Sequence, residues 1–307
     1  MKNWFRKLIG GAGREQINPP SGLNNSTTQL VAPQPLRKLE NYELGEKLGT
    51  GAMGYVYLAR DLLNDREVAI KTMVLTGNFD AEQVADIKSR FFREAEIVER
   101  MNHPNIVSVY DMGEEDEVAY ISMEVIKGHD LEAHTKPGRL LSYSQVLNII
   151  ACAADALGYA HEQDVVHRDI KPGNIMYDPD TGIVKVMDFG ISRITTEAKT
   201  KLGVVFGTPY YMSPEQLRGL KIGGASDLFS LGTTMYQLLS GKLPFEGNST
   251  IEVMSRIAKE APTDILTLCP DLPPGVGKVI NRALEKEIEH RFHSGQEMAE
   301  AIRQCIV

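Results

Sequence analysis

Apolar and polar positions divide the chain into three stretches with different periods. Residues 42–48, 55–59, 67–71, 106–112 and 118–125 are short runs rich in β-branched and aromatic residues. An Asn64-Asp65 turn joins the second and third, so five strands are predicted. Between them, residues 81–101 contain no Pro or Gly, and Ile87, Phe91, Ala95 and Val98 recur at helical spacing, which predicts one amphipathic helix. Beyond residue 126 the period becomes helical. Helices are expected over 145–163, with Ser142 as cap, and over 226–240, 250–258, 276–287 and 294–306. The fold class read from this pattern is α+β: a small β-rich unit over 41–125 followed by a larger, mainly helical unit over 126–307.

The first 40 residues follow neither period. Lys2, Arg6, Lys7, Arg14, Arg37 and Lys38 face only Glu15 and Glu40 there, whereas the whole chain carries −8, so leader and body are oppositely charged. Residues 10–35 are rich in Gly, Pro, Asn, Ser and Thr and too poor in apolar groups to offset the entropy of ordering, which reads as a flexible basic leader. Within residues 2–9, Trp4, Phe5, Leu8 and Ile9 have the spacing of a short peripheral or docking helix. A frayed terminus is the other reading.

Composition excludes several classes. The chain has 307 residues, 42% of them hydrophobic and 24% charged, as in an ordinary globular protein. Cys152, Cys269 and Cys305 are odd in number and show no paired spacing, which predicts reduced thiols and a cytoplasmic location. No apolar stretch reaches the length of a transmembrane segment, and the acidic balance gives no basic face for nucleic acid.

Candidate chemistry concentrates in three places. The first is His167-Arg168-Asp169-Ile170-Lys171-Pro172-Gly173-Asn174, a charged turn held between apolar runs. It offers a carboxylate to accept a hydroxyl proton, an ammonium to neutralise a phosphoryl oxygen, and an amide oxygen for a hard metal ion. Alone, the triplet His167-Arg168-Asp169 is an ordinary surface feature. Asp188-Phe189-Gly190 follows the β-rich run 183–187, which places its carboxylate at a strand end. Gly49-Thr50-Gly51-Ala52-Met53-Gly54 is a weak signal by itself. A dinucleotide-binding fold needs a helix directly after it, and here a strand follows, so the glycines sit in a hairpin over which phosphates fit.

Taken together these motifs resemble the protein-kinase family, with Ile170 where the family pattern has Leu. The resemblance covers about residues 42–306, is similar to the serine/threonine class in Lys171 and Thr208, and is most like bacterial members in Met-Ser-Pro-Glu-Gln at 212–216 and Lys-Pro-Gly-Asn-Ile-Met at 171–176. It implies the bilobal protein-kinase fold with an active site in the cleft, and transfer of the γ-phosphoryl of ATP to Ser/Thr hydroxyls of protein substrates with Mg²⁺ or Mn²⁺. By the resemblance, Asp169 and Lys171 are catalytic, Asn174 and Asp188 bind metal, and Lys71 pairs with Glu94. Gly49 to Gly54, Val56, Ala69 and Met176, the hinge residues Glu124 and Ile126, and Asp130 bind ATP. Glu215 pairs with Arg291 and Asp227 anchors the catalytic loop, both structural roles. The uncharged Gly173 implies no strong preference for arginine on the substrate.

Arg168, with Arg193, Lys199, Lys201 and Arg90, implies activation by autophosphorylation at Thr200, with Thr195 and Thr196 behind it, through self-association in trans. A pseudokinase scaffold is the alternative, but it typically lacks one of the strand lysine, the loop aspartate or the metal aspartate. Lys71, Asp169, Asn174 and Asp188 are all present.

Overall fold

The computed structural model describes residues 38–51, 54–73, 81–115, 118–189 and 209–306. Its first part is an antiparallel sheet built from β1 (Lys38–Leu39), β2 (Tyr42–Gly51), β3 (Gly54–Asp61), β4 (Arg66–Met73), β5 (Val109–Glu115) and β6 (Val118–Met123), in the order β1-β2-β3-β4-β6-β5. β1 is a two-residue addition to the five strands read from the pattern.

The register decides which side chains share a face. Val56 lies opposite Lys71, Leu58 opposite Ala69, and Ala69 and Lys71 in turn opposite Met123 and Ile121. Because successive side chains alternate faces, Val56, Ala69, Lys71 and Met123 all point to one side. Leu39, Tyr42, Ala59, Val68 and Ile70 form a separate buried cluster.

Helix α1 (Ala81–Glu99) buries Ile87, Phe91 and Ala95 against Met73, Ala119 and Ile121 of the sheet. Val98, Met101, Ile106 and Val107 belong instead to the large core of the helical part. The segment just after α1 therefore joins the two cores. Residues 106–108 are not part of β5: Val107 donates to the Val186 carbonyl at 3.0 Å, and Val186 donates to Asn105 O at 2.8 Å. The predicted strand starts three residues late because these backbone groups pair with a different sheet.

That second sheet has three short strands in sequence order, β7 (His129–Asp130), β8 (Ile175–Tyr177) and β9 (Val184–Val186). Gly128, at φ +117°, lets the chain pass the Tyr177 carbonyl, which would lie 2.2 Å from any Cβ there. Helix α2 (Tyr143–Glu162) is the central rod, started by a complete Ser142/Gln145 capping box. It packs on α4 (Gly224–Ser240) and α8 (Gly295–Arg303).

The short α3 (Pro214–Leu217) opens with a second capping box, Ser213/Gln216, and α5 (Thr250–Lys259), α6 (Ile265–Leu268) and α7 (Pro274–Ala283) complete the order. The four-residue helices α3 and α6 are too short to show a period in the sequence. The architecture is a small β-rich lobe beside a larger helical lobe. No helix among the described residues is long and apolar enough to cross a membrane.

Candidate active site

The loop between α2 and β8 is held by one buried carboxylate. Asp227, in the first turn of α4 and 1% exposed, accepts the backbone N–H of His167 at 2.8 Å and of Arg168 at 2.7 Å. His161 Nε2 of α2 lies 2.8 Å from the same carboxylate. The His167 ring reaches the Met187 carbonyl from Nε2 at 2.7 Å and accepts the Asp169 N–H on Nδ1 at 3.3 Å, which fixes Nε2 as the protonated nitrogen. From the other side Gln216 donates its amide to the Arg168 carbonyl at 2.9 Å.

This frame holds Arg168 at φ +70°, a left-handed conformation unusual for a non-glycine residue. The buried Arg168 Nε has no hydrogen-bond partner among the described residues. Asp188, at φ +59°, shares the left-handed geometry.

On that frame Asp169, Lys171 and Asn174 converge. Lys171 Nζ donates to Asp169 Oδ2 at 2.6 Å, and Asn174 Nδ2 donates to the Asp169 carbonyl at 2.7 Å and to Oδ2 at 3.1 Å. Oδ1 of Asp169, on a side chain 35% exposed, makes no hydrogen bond among the described residues. A carboxylate oriented by two donors on one oxygen, with the other open, has the geometry of a proton acceptor for an incoming hydroxyl. With its amide nitrogen committed, Asn174 presents Oδ1 as a free acceptor.

Across the cleft, Lys71 Nζ donates to Asp188 Oδ1 at 2.7 Å. Burial pushes the Asp188 carboxyl up, but the Lys71 ammonium, with smaller help from His167 and Lys171, holds the group below the usual carboxylate value. The side chain of Glu94, the partner read from the sequence, lies outside the described residues. So do Ala52, Met53, Thr195, Thr196, Thr200, Thr208 and the side chain of Thr50.

Asp188 and Asn174 together offer a carboxylate and an amide oxygen. The described residues contain no cluster of three or more His, Cys, Asp or Glu side chains that suits a metal. Two oxygen donors, with the rest supplied by phosphate and water, fit a hard divalent cation such as Mg²⁺.

Val56, Ala69 and Met123 line the sheet side of the cleft with Leu48 and Val125, and Met176 is fully buried below. The Glu124 N–H is taken by the Ser108 carbonyl at 3.0 Å, which leaves its C=O for a ligand. Asp130 is 6% exposed, and its side chain caps the turn after β7 by accepting the Glu132 N–H at 2.9 Å. It therefore has a structural task beside any contact with a sugar.

Two residues read from sequence have acidic neighbours that the sequence did not show. Gly173 carries no charge, but an acid does stand beside it, because a Cβ there would lie 3.0 Å from Glu132 Oε1. An uncharged residue 173 is no ground for excluding a preference for basic substrates. Arg90, assigned to a cationic cluster, pairs with Asp86 on its own helix at 2.6 Å.

Below the loop, Arg291 is fully buried and grips Glu215 through two bonds of 2.8 and 2.9 Å, while Ser226 donates to the same carboxylate at 2.6 Å. Sequence reading missed the contributions of His161, Gln216 and Lys185. Only Gln216 carried a signal, the Ser-x-x-Gln pattern of a capping box.

The protein kinase domain profile matches residues 42–304. The serine/threonine-protein kinase PrkC of Bacillus subtilis is 36% identical over 263 residues, which cover 85% of this chain and 40% of that protein. Serine/threonine-protein kinase PknB of Mycobacterium tuberculosis is 38% identical over 271 residues, 86% of this chain and 42% of its own length. The chain thus spans about two fifths of the length of these relatives. Among solved structures, the PknI kinase domain of Mycobacterium tuberculosis superposes with a TM-score of 0.67 at 28% identity, covering 87% of this chain and 97% of that one. With the profile running across both lobes and through every motif of the cleft, the chain belongs to the protein kinase domain family.

Proposed function

We propose that this domain transfers the γ-phosphoryl of ATP to serine or threonine hydroxyls of protein substrates. The observation that carries the reading is the Asp169–Lys171–Asn174 constellation, held by Asp227 opposite the Lys71–Asp188 pair. Asp169 Oδ1 accepts the substrate hydroxyl proton, and Lys171 keeps that carboxylate oriented while offering its charge to the transferring phosphoryl. Lys71, released from Asp188, takes the α and β phosphates, and Glu94 is the partner that would hold it there. Asp188 and Asn174 Oδ1 would hold a divalent cation, whose positive charge would offset the negative charge of the phosphates. The Glu124 carbonyl and Ile126 N–H receive the adenine edge, with Val56, Ala69 and Met176 on its faces and Asp130 towards the ribose.

In this reading residues 41–125 cover the nucleotide, 126–307 supply the catalytic groups, and 1–40 form a basic leader whose residues 2–9 are either a docking segment or a frayed terminus. Three free thiols support a reducing, cytoplasmic setting. The orphaned Arg168 Nε supports activation in trans by phosphorylation at Thr200; mass spectrometry of active protein should find phosphate there, and an unmodified loop in fully active enzyme refutes it.

The direct test is transfer of label from ATP to a generic protein substrate. Lys71→Met and Asp169→Asn should each lower kcat by orders of magnitude with the melting curve preserved, and Asp188→Asn is the blank. Turnover no higher than that blank in the parent, or near-normal turnover in either variant, would sink the assignment.

A further inference from the structure

Lys185 lies on β9, three residues before Asp188, and has no part in the chemistry above. A lysine on a strand is usually a solvated charge, but this side chain is only 13% exposed. Its ammonium donates to Glu124 Oε1 at 2.6 Å and to the Ile106 carbonyl at 3.2 Å. Glu124, 20% exposed, is in turn fixed at both ends: Oε1 accepts the Ser108 N–H at 2.7 Å, and its own N–H donates to Ser108 O. Three segments distant in sequence meet at this one ion pair: the stretch after α1, the connection between the lobes, and the strand leading to Asp188.

The register places the pair at the floor of the cleft. Lys185 lies directly opposite Met176 in the β8–β9 ladder, so both side chains leave the same face of that small sheet. With the side chain and N–H of Glu124 both turned towards residues 106–108, its carbonyl is the group left for the cleft. We propose that Lys185 is a positioning residue for the nucleotide, clamping the Glu124 side chain so that the Glu124–Ile126 backbone presents its hydrogen-bonding edge to a purine.

The inference rests on the nucleotide-binding reading above. Its physical ground is the cost of breaking a partly buried ion pair. Removing one partner leaves an uncompensated charge. Without Lys185, a mostly buried carboxylate stands unneutralised where a polyanionic ligand must dock. It then either repels that ligand or swings out and turns the hinge peptide with it.

Titration of the full chain with a fluorescent ADP analogue and magnesium chloride tests this. Lys185→Met should raise Kd roughly tenfold, within the coupling that contacting residues reach. Lys185→Arg, which keeps the cation, should stay within about threefold of the parent. In turnover, the Lys185→Met loss should fall on KM for ATP rather than on kcat. Should Lys185→Met not fold, Glu124→Gln alone gives the same reading, with the same loss expected. Unchanged affinity in Lys185→Met and Glu124→Gln overturns the clamp. A parent protein that binds no ADP overturns the nucleotide-binding reading on which it rests.

Discussion

Asp169, Lys171 and Asn174 were readable in the sequence because they lie within six positions of one another, so their convergence needs only a tight turn. Lys185 and Glu124 are 61 positions apart, and each looks ordinary alone, so only the fold reveals the pair. Lys286 was equally silent. Its Nζ is buried without a hydrogen-bond partner among the described residues and lies 3.9 Å from the centre of the Phe245 ring. Burial first, and then the neighbouring Arg291 charge, push this lysine down from 10.5 to about 8. In the window between those values the unfolded chain holds a proton that the folded chain has released, so stability rises with pH across it. Below pH 8 the folded protein bears the full cost of a buried ammonium. Lys286→Met should therefore raise the melting temperature at pH 7, with a gain that shrinks steadily towards pH 10. A gain independent of pH would mean that the charge is not the cause.

The start of α2 was legible because the Ser142 cap precedes the run, whereas the caps Ser249 and Ser294 were not read as such. Helix ends were less legible, and the strand expected over 106–112 begins at Val109, because Val107 bonds to β9 and no local pattern encodes that choice. The packing of α2 on α8 was also invisible. Gly295 sits where a Cβ would lie 2.1 Å from the Ala154 carbonyl and 2.5 Å from the Gly158 N, so the two helices touch backbone to backbone. Gly295→Ala must push them apart. It should cost about 1–3 kcal/mol, the range for overpacked sites, measured by urea unfolding. A variant as stable as the parent would show that the contact yields without penalty.

For the molecule as a whole, the ion pairs that join the lobes among the described residues are Lys71 with Asp188, across the cleft, and Lys185 with Glu124, at its floor. The bilobal division was legible because the period of the apolar pattern changes along the chain. The buried anchors Asp227 and Arg291 could be named only through the resemblance, since nothing local marks a charged residue as fully buried. One of the residues they frame is costly to the fold. Arg168 combines a left-handed backbone, worth roughly 1–2 kcal/mol against a non-glycine residue, with a buried donor that nothing described satisfies. Asparagine tolerates that backbone and brings no long cation. Arg168→Asn should thus melt no lower than the parent while losing most of its phosphoryl transfer, and a marked drop in melting temperature would overturn this. Selection of this domain for heat tolerance alone would then be expected to discard Arg168 early, trading responsiveness for robustness.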